Sequence, residues 1–163
     1  MNQQVTTEKD LLLALDPGET TGWCLLNLED CSIYDWGAEK YKLANWFNLL
    51  KDHLKPTTIV YERFSLYAHR AQQQINSTFY TVEMIGITKL YAQLTDTPIQ
   101  EQTAAQGKQI WDDDKLQRFG YYRNNKHARD AIRHALTFAQ AHRLPSIKER
   151  WNRETSSSIR QLS

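Results

Sequence analysis

Three places in the chain carry residues whose types and spacing suit metal-assisted chemistry. The first is Asp16, which ends the apolar run Leu11–Leu15 and is followed at once by Pro17-Gly18. A continuous apolar run is typical of a strand that is buried on both faces. A carboxylate at the end of such a strand lies where α/β sheets bind ligands. Asp-Pro-Gly is also favourable turn chemistry, so a purely structural role for Asp16 is an equal alternative.

The second place is Glu62, which follows the β-branched run Thr57–Tyr61. If this strand lies beside the first one, Asp16 and Glu62 leave the sheet at the same edge. Two close carboxylates repel each other unless a cation lies between them, and their oxygens suit Mg²⁺ or Mn²⁺. The alternative is an exposed Glu62 that pairs with Arg63 or Arg70.

The third place is the start of the last long helix, where His127 and Asp130 are three residues apart. This spacing puts both side chains on one face of the helix. Further along, Arg133 and His134 are expected to face solvent. The alternatives are a His127 that only begins the helix and an Asp130 that pairs on the surface with Arg129 or Arg133.

A basic stretch with two tyrosines precedes and enters this helix. Its members are Lys115, Arg118, Tyr121, Tyr122, Arg123, Lys126, Arg129 and Arg133, and Asp130 is the one acid among residues 115–133. Cations interleaved with aromatic rings suit a phosphate backbone with unstacked bases, although a solvated loop has the same composition. The run Asp112–Asp114 is not expected to hold a metal, because consecutive helical residues point in different directions.

Apolar periodicity predicts the elements that position these residues. The expected strands are Leu11–Leu15, Thr21–Leu28, Cys31–Gly37, Thr57–Tyr61 and Pro98–Gln102. The expected helices are Ala38–Leu54, Ala71–Leu94, Gln106–Arg118 and Lys126–His142. This order indicates a mixed α/β fold. Four tryptophans at strand or helix spacing are expected in the core, namely Trp23, Trp36, Trp46 and Trp111.

Composition indicates one ordinary globular domain. The chain has 163 residues, of which 40% are apolar and 24% are charged, and this excludes global disorder. Residues 1–100 carry 8 basic and 12 acidic side chains, whereas residues 101–163 carry 12 basic and 7 acidic ones. A basic C-terminal third favours a polyanionic partner. We expect residues 1–143 to form the domain and residues 144–163 a polar, basic tail.

Targeting and redox signals are few. No apolar run reaches the length of about 18 residues that a membrane helix needs, and the first residues lack a signal-peptide pattern. The two cysteines, Cys24 and Cys31, lie on consecutive predicted strands in a register that does not pair them. We therefore expect both to be reduced in a cytoplasmic protein without a membrane partner.

Taken in order along the chain, these motifs resemble the RuvC-type Holliday junction resolvases of the ribonuclease-H-like superfamily. The matching segments are Leu15-Asp16-Pro17-Gly18 with Thr21-Gly22, Val60-Tyr61-Glu62-Arg63-Phe64, and His127-Ala128-Arg129-Asp130-Ala131. Gly86 in the long helix also matches. The resemblance covers about residues 11–140, and its small size and His-x-x-Asp form resemble the phage or prophage branch. The family has either Asp or His at the position of His127.

The resemblance implies a five-stranded mixed sheet flanked by helices, with three antiparallel strands and two more parallel to the first. It implies a homodimer, joined through the helix Ala71–Leu94, that binds four-way DNA junctions. Each subunit nicks one of two opposed strands and leaves 5′-phosphate ends. Two Mg²⁺ ions per site, replaceable by Mn²⁺, supply the chemistry, and no nucleotide cofactor is implied.

The resemblance also implies roles for individual residues. Asp16 is the bridging metal ligand, Glu62 and Asp130 complete the two metal spheres, and His127 binds metal or orients the attacking water. Lys108 follows the fifth strand where the family carries a phosphate-contacting lysine, and a solvated Lys108 is the alternative. The DNA contacts are completed by an aromatic wedge and further cations: Phe64, Tyr67, Arg70, Lys115, Arg118, Tyr121, Tyr122, Arg123, Lys126 and Arg129. A core position for Phe64 is an equal alternative.

Three other functions compete with junction resolution. A nuclease of the same fold could prefer forks, flaps or Y-junctions. A junction-binding protein could lack cleavage. The segment Asp16–Gly22 also resembles the phosphate loop of sugar-kinase and actin-like ATPases, but those proteins need a second such domain, for which this chain is too short.

Overall fold

The computed structural model describes residues 9–65, 71–147 and 149, with only the backbone described over residues 71–78. The strands are β1 (Leu11–Asp16), β2 (Thr20–Asn27), β3 (Ile33–Lys40), β4 (Thr58–Glu62) and β5 (Ile99–Gln102). They form one 5-stranded sheet in the order β3-β2-β1-β4-β5. The pairs β1–β2 and β2–β3 are antiparallel, whereas β1–β4 and β4–β5 are parallel. This confirms the expected mixed sheet and its strand directions.

The central strand β1 is apolar throughout because helices cover both faces of the sheet. Leu12 and Ala14 pack in one core, beneath α5 (Lys126–Ala141). Leu13 and Leu15 pack in the opposite core, with residues of α1 (Leu43–Asn48) and α2 (Ala71–Thr95). Alternate side chains of a strand point to opposite faces, so a strand covered on both sides has no polar positions.

The predicted helix Ala38–Leu54 is wrong in its first part. Residues Ala38 to Lys40 belong to β3, where they pair with Thr20 to Gly22 of β2. Cross-strand hydrogen bonds therefore override the helical pattern there, and α1 begins at Leu43. A π-helical segment, Leu49–Leu54, continues α1 and ends at Lys55, whose backbone is left-handed.

The predicted helix Gln106–Arg118 is two helices. These are α3 (Ala104–Ile110) and α4 (Asp113–Arg118). The break lies at Asp112, whose carboxylate accepts a hydrogen bond from the Lys115 amide at 2.8 Å and so caps the start of α4. An N-cap residue has a non-helical backbone, which ends the preceding helix.

Three of the four expected core tryptophans are buried, namely Trp23, Trp46 and Trp111, whereas Trp36 is exposed. Trp36 lies on β3, one of the two edge strands of the sheet, where the Arg123 guanidinium stacks over its ring at 5.7 Å. Both cysteines are buried, and no disulfide is formed among the described residues. The boundary of the tail at residue 144 stays a prediction. Among the described helices, none has the length and apolar character to cross a membrane.

Candidate active site at the carboxyl ends of β1 and β4

Asp16 and Glu62 end two adjacent parallel strands. Leu15 of β1 pairs with Tyr61 of β4, so the next residue on each strand leaves the sheet at the same level. The side chain of Asp16 is 19% exposed and that of Glu62 is 26% exposed. Both carboxylates are thus half-buried at one edge, as the sequence predicts.

The start of α5 lies against this edge. Asn125 caps the helix by accepting a hydrogen bond from the Ala128 amide at 3.1 Å. Nδ1 of His127 lies 3.2 Å from Oδ2 of Asp16. The close approach depends on Gly22 of β2, because a Cβ at that position would lie 2.1 Å from the carbonyl group of His127.

The carboxyl group of Asp16 is a weaker acid than that of an ordinary aspartate. Its pKa is raised from 3.8 to about 6, first by burial and then by the negative charge of Glu62. The hydrogen bond with His127 lowers the pKa, and the charge of Asp130 raises it again. Buried carboxylates that repel each other are a common feature of sites that bind cations or transfer protons.

Glu62 is held from α5 by His134. Nε2 of His134 lies 2.9 Å from Oε2 of Glu62, and its Nδ1 lies 2.9 Å from Oε1 of Gln102. The expectation that His134 faces solvent is wrong, since it is buried beneath the site. Its spacing contained a signal: positions 127, 130 and 134 lie on one helical face.

Asp130 is buried and lies between two cations. The Arg133 guanidinium donates to Oδ1 of Asp130, and Nζ of Lys108 lies 3.4 Å from Oδ2. Arg133 is also buried, contrary to the prediction of a solvent-facing side chain, because it donates to the Trp111 carbonyl at 2.8 Å and to Asp113. Asp113 is therefore an ion-pair partner rather than a freely solvated acid.

The described residues contain no group of three or more His, Cys, Asp or Glu side chains arranged as ligands of one metal ion. Each carboxylate is turned towards a basic partner instead: Asp16 to His127, Glu62 to His134, and Asp130 to Arg133 and Lys108. The donor chemistry still fits a hard divalent cation, because carboxylate oxygens are its preferred ligands. A cation would also relieve the repulsion that raises the pKa of Asp16.

The predicted nucleic-acid contacts fall into two groups. Lys108, Arg118 and Lys126 are exposed, and Lys108 also pairs with Asp130. Lys115, Arg123 and Arg129 are half-buried and bonded to backbone carbonyls or to acidic side chains. Tyr67 and Arg70 lie outside the described residues.

The aromatic residues of this set differ in their burial. Tyr121 is buried and donates its hydroxyl hydrogen to the Cys31 carbonyl at 2.8 Å. Its predicted stacking on a base is therefore wrong, because the ring belongs to the core. Tyr122 is half-buried beneath the Arg129 guanidinium, 4.8 Å from its ring centre.

A cavity of about 310 Å³ opens beside Glu62 and between β4 and α3. Its lining includes Arg63 and Phe64, which follow Glu62, together with Pro17, Thr81 and Thr103. Phe64 is half-buried and Arg63 is exposed. The sequence suggests Arg63 only as an ion-pair partner of Glu62, and its place at the cavity makes it a further cation of the site.

Comparison of the sequence with family models and with curated proteins gave no match. Solved structures do match the fold. Thermus thermophilus RuvC in complex with a Holliday junction substrate has a TM-score of 0.65 at 16% identity, over 83% of this chain and 96% of that chain. The fowlpox virus resolvase bound to Holliday junction DNA has a TM-score of 0.54 at 10% identity, over 80% and 99%.

A third structure extends the likeness to a mitochondrial protein. The yeast mitochondrial Holliday junction resolvase Ydc2 has a TM-score of 0.50 at 14% identity, over 85% of this chain and 80% of that chain. The five-stranded mixed sheet of this chain and its flanking helices match the fold of these resolvases. The chain therefore has the ribonuclease-H-like fold of RuvC and other Holliday junction resolvases.

Proposed function

We propose that the chain is a metal-dependent endonuclease that binds four-way DNA junctions and resolves them by paired nicks on opposed strands. The observation that carries the proposal is the convergence of Asp16, Glu62 and Asp130, with His127 beside Asp16, at one edge of this fold. Similar folds bind Holliday junctions in the Thermus and fowlpox complexes.

The proposed reaction is phosphodiester hydrolysis. A water oxygen forms a bond to phosphorus, the bond from phosphorus to the 3′-oxygen breaks, and the leaving oxygen takes up a proton. The products are a 5′-phosphate and a 3′-hydroxyl. Mg²⁺ or Mn²⁺, with two ions per site, would supply charge neutralisation and an acidified water when bound.

The roles of the residues follow from their positions. Asp16, Glu62 and Asp130 would hold the ions. His127 is 44% exposed and its Nδ1 contacts Asp16, so the remaining ring nitrogen can accept a proton from water or bind metal. Lys108 is 57% exposed, so it can turn from Asp130 to a substrate phosphate.

The DNA-binding surface would combine exposed cations around this edge. Lys108, Arg118, Lys126 and Arg63 face solvent, and phosphate neutralisation by such residues supplies most of the affinity for DNA. Phe64, at the cavity beside Glu62, is placed to stack on an unpaired base near the junction centre.

The partner subunit would pack on α2. Its exposed apolar residues include Val82, Leu90 and Leu94, spaced at multiples of four with Gly86 between them, and Phe79 one turn before Val82. A Cβ at Gly86 would have no neighbour within 4 Å among the described residues, so a second helix can approach closely there. A homodimer would place two such active sites on the two opposed strands of a junction.

The test is cleavage of a synthetic immobile four-way junction in Mg²⁺, with Asp16→Asn and Glu62→Gln as variants. We expect paired symmetric nicks from the parent protein and none with EDTA or with either variant. The Asn and Gln side chains keep the shape but remove the charge. Both variants are expected to retain junction binding in Ca²⁺.

Two results would replace the proposal. Binding of the junction without cleavage in Mg²⁺ and Mn²⁺ would identify a junction-binding protein. Faster cleavage of forks, flaps or Y-junctions than of four-way junctions would identify a nuclease for other branched DNA.

A further inference from the structure

His134 lies beneath the proposed active site between two polar partners. It is 2% exposed, and its neighbour Gln102 is also buried. Nε2 of His134 lies 2.9 Å from Glu62, and Nδ1 lies 2.9 Å from the side-chain amide of Gln102. A buried imidazole with both nitrogens occupied is held in one orientation, because losing either bond leaves a polar group unpaired.

The chemistry of the partners determines the direction of the bond to Glu62. A carboxylate oxygen only accepts hydrogen bonds, so Nε2 carries a hydrogen and donates it. The Gln102 amide presents either its oxygen or, after a half-turn, its NH₂ group to Nδ1. Nε2 remains the donor to Glu62 in both arrangements.

The support for His134 is itself rigid. Gln102 ends β5 and pairs with Glu62 in the sheet. The Gln102 carbonyl accepts a hydrogen bond from the Arg63 amide at 2.7 Å, immediately after Glu62. The backbone and the side chain of Gln102 therefore both fix the end of β4.

Among the described residues, the contact with His134 engages Oε2 of Glu62. This leaves the other oxygen, Oε1, for a ligand. Fixing one oxygen with a donor orients the second and lowers the entropy lost when a ligand binds.

We propose that His134, held by Gln102, is a positioning residue that orients Glu62 as a ligand for the metal ion. The proposal rests on the metal-dependent nuclease function proposed above. Helix α5 would then have two roles. It carries His127 and Asp130 of the proposed site, and it also carries His134, which orients Glu62 at the end of β4.

Two amide variants test the two hydrogen bonds of the imidazole one at a time. In His134→Gln the amide nitrogen is three bonds from Cβ, as Nε2 is, so the contact with Glu62 is kept. In His134→Asn the amide nitrogen is two bonds from Cβ, as Nδ1 is, so only the contact with Gln102 is kept. His142→Asn, an exposed position near the end of the same helix, is the matched control.

The first readout is the Mn²⁺ affinity of the protein without DNA. It is measured from the EPR signal of unbound Mn²⁺. We expect His134→Asn to weaken Mn²⁺ binding about 10–100-fold, the range typical for loss of an outer-shell partner. We expect His134→Gln to recover most of that loss and His142→Asn to leave the affinity unchanged. Junction cleavage in Mg²⁺ should follow the same order through kcat, with KM for the junction unchanged.

The second readout is the ¹H–¹⁵N spectrum of the histidine rings in the parent protein. We expect His134 to carry a slowly exchanging proton on Nε2 that shifts in Glu62→Gln. Equal Mn²⁺ affinities for the folded Asn and Gln variants, or an unprotonated Nε2 in the parent protein, would overturn the proposal. The spectrum decides the matter even if His134→Asn does not fold.

These readouts also separate the inference from the proposed function. If the parent protein cuts no junction but Mn²⁺ affinity follows the expected order, the nuclease function fails and the positioning of Glu62 stands. If the parent protein cuts junctions but the order is absent, the positioning role fails and the nuclease function stands.

Discussion

Gly22 and His127 are in direct contact across the sheet–helix boundary. A Cβ on Gly22 would lie 2.1 Å from the carbonyl carbon and oxygen of His127. Gly22 is also the β2 residue that pairs with Asp16. The glycine therefore brings the start of α5 close enough for His127 to reach Asp16, which no other residue type would permit without displacing the helix.

Gly22→Ala should separate His127 from Asp16. The added methyl group collides with backbone, which cannot rotate away, so we expect a loss of about 1–3 kcal/mol in the free energy of unfolding. Junction cleavage should fall together with stability. Urea unfolding and cleavage assays measure both. Gly18→Ala is the control, since a Cβ there makes an ordinary contact of 3.5 Å, and loss of activity in both variants would contradict this explanation.

Asp16→Asn should stabilise the protein at neutral and alkaline pH. The pKa of Asp16 is about 6 in the folded chain against an ordinary value of 3.8. Between these two pH values the folded state binds more protons than the unfolded state, so the free energy of unfolding falls as the pH rises. The cost of ionising the buried carboxyl group is fully present above about pH 6. We expect a gain of roughly 1–3 kcal/mol at about pH 8.

The pH dependence of this gain is its control. The difference in unfolding free energy between Asp16→Asn and the parent protein should shrink towards about pH 4, where the carboxyl is protonated in the folded protein. Titrating groups remote from Asp16 cancel in the difference, whereas the interactions of Asp16 with Glu62, His127 and Asp130 are part of the measured effect. A constant difference across this range would show that Asp16 does not have a raised pKa.

The two cations of Asp130 should have different effects when removed. Arg133→Met leaves a buried carboxylate without its main partner, and we expect a loss of about 3–5 kcal/mol in unfolding free energy. Lys108→Ala removes the solvent-exposed cation of the two, 57% exposed against 9% for Arg133, and we expect this to cost at most about 1 kcal/mol. We expect Lys108→Ala to keep its thermal midpoint but to slow cleavage roughly 10–100-fold. A large loss of stability in Lys108→Ala would contradict the proposed phosphate contact.

Leu90→Lys should dissociate the proposed dimer. Leu90 is 49% exposed on α2, and a charge in the centre of an apolar interface would remain unpaired. We expect sedimentation analysis to give a dimer for the parent protein and a monomer for the variant, with paired nicking lost. Gln140→Lys adds the same charge to an exposed position of α5, which packs on the opposite face of the sheet from α2, and should remain a dimer. A monomeric parent protein would exclude this role of α2.

Local patterns in the sequence determined the sheet and the positions of its acids. The apolar run before Asp16 and the β-branched run before Glu62 identify two buried strands. Parallel pairing then brings both carboxylates to one edge. The His127–Asp130 spacing likewise places its residues on one helical face. These features depend on the spacing of apolar and polar residues over a few positions, which can be recognised without knowledge of the fold.

Tertiary contacts decided the surroundings of those acids. The burial of His134 and Arg133 depends on the packing of α5 over β4 and α3. The local sequence around these two residues does not distinguish them from solvent-exposed residues. The same holds for Tyr121, whose hydroxyl reaches Cys31, 90 residues away along the chain. Partners that are distant in sequence leave no local period, so only the folded structure shows which polar groups are paired beneath the site.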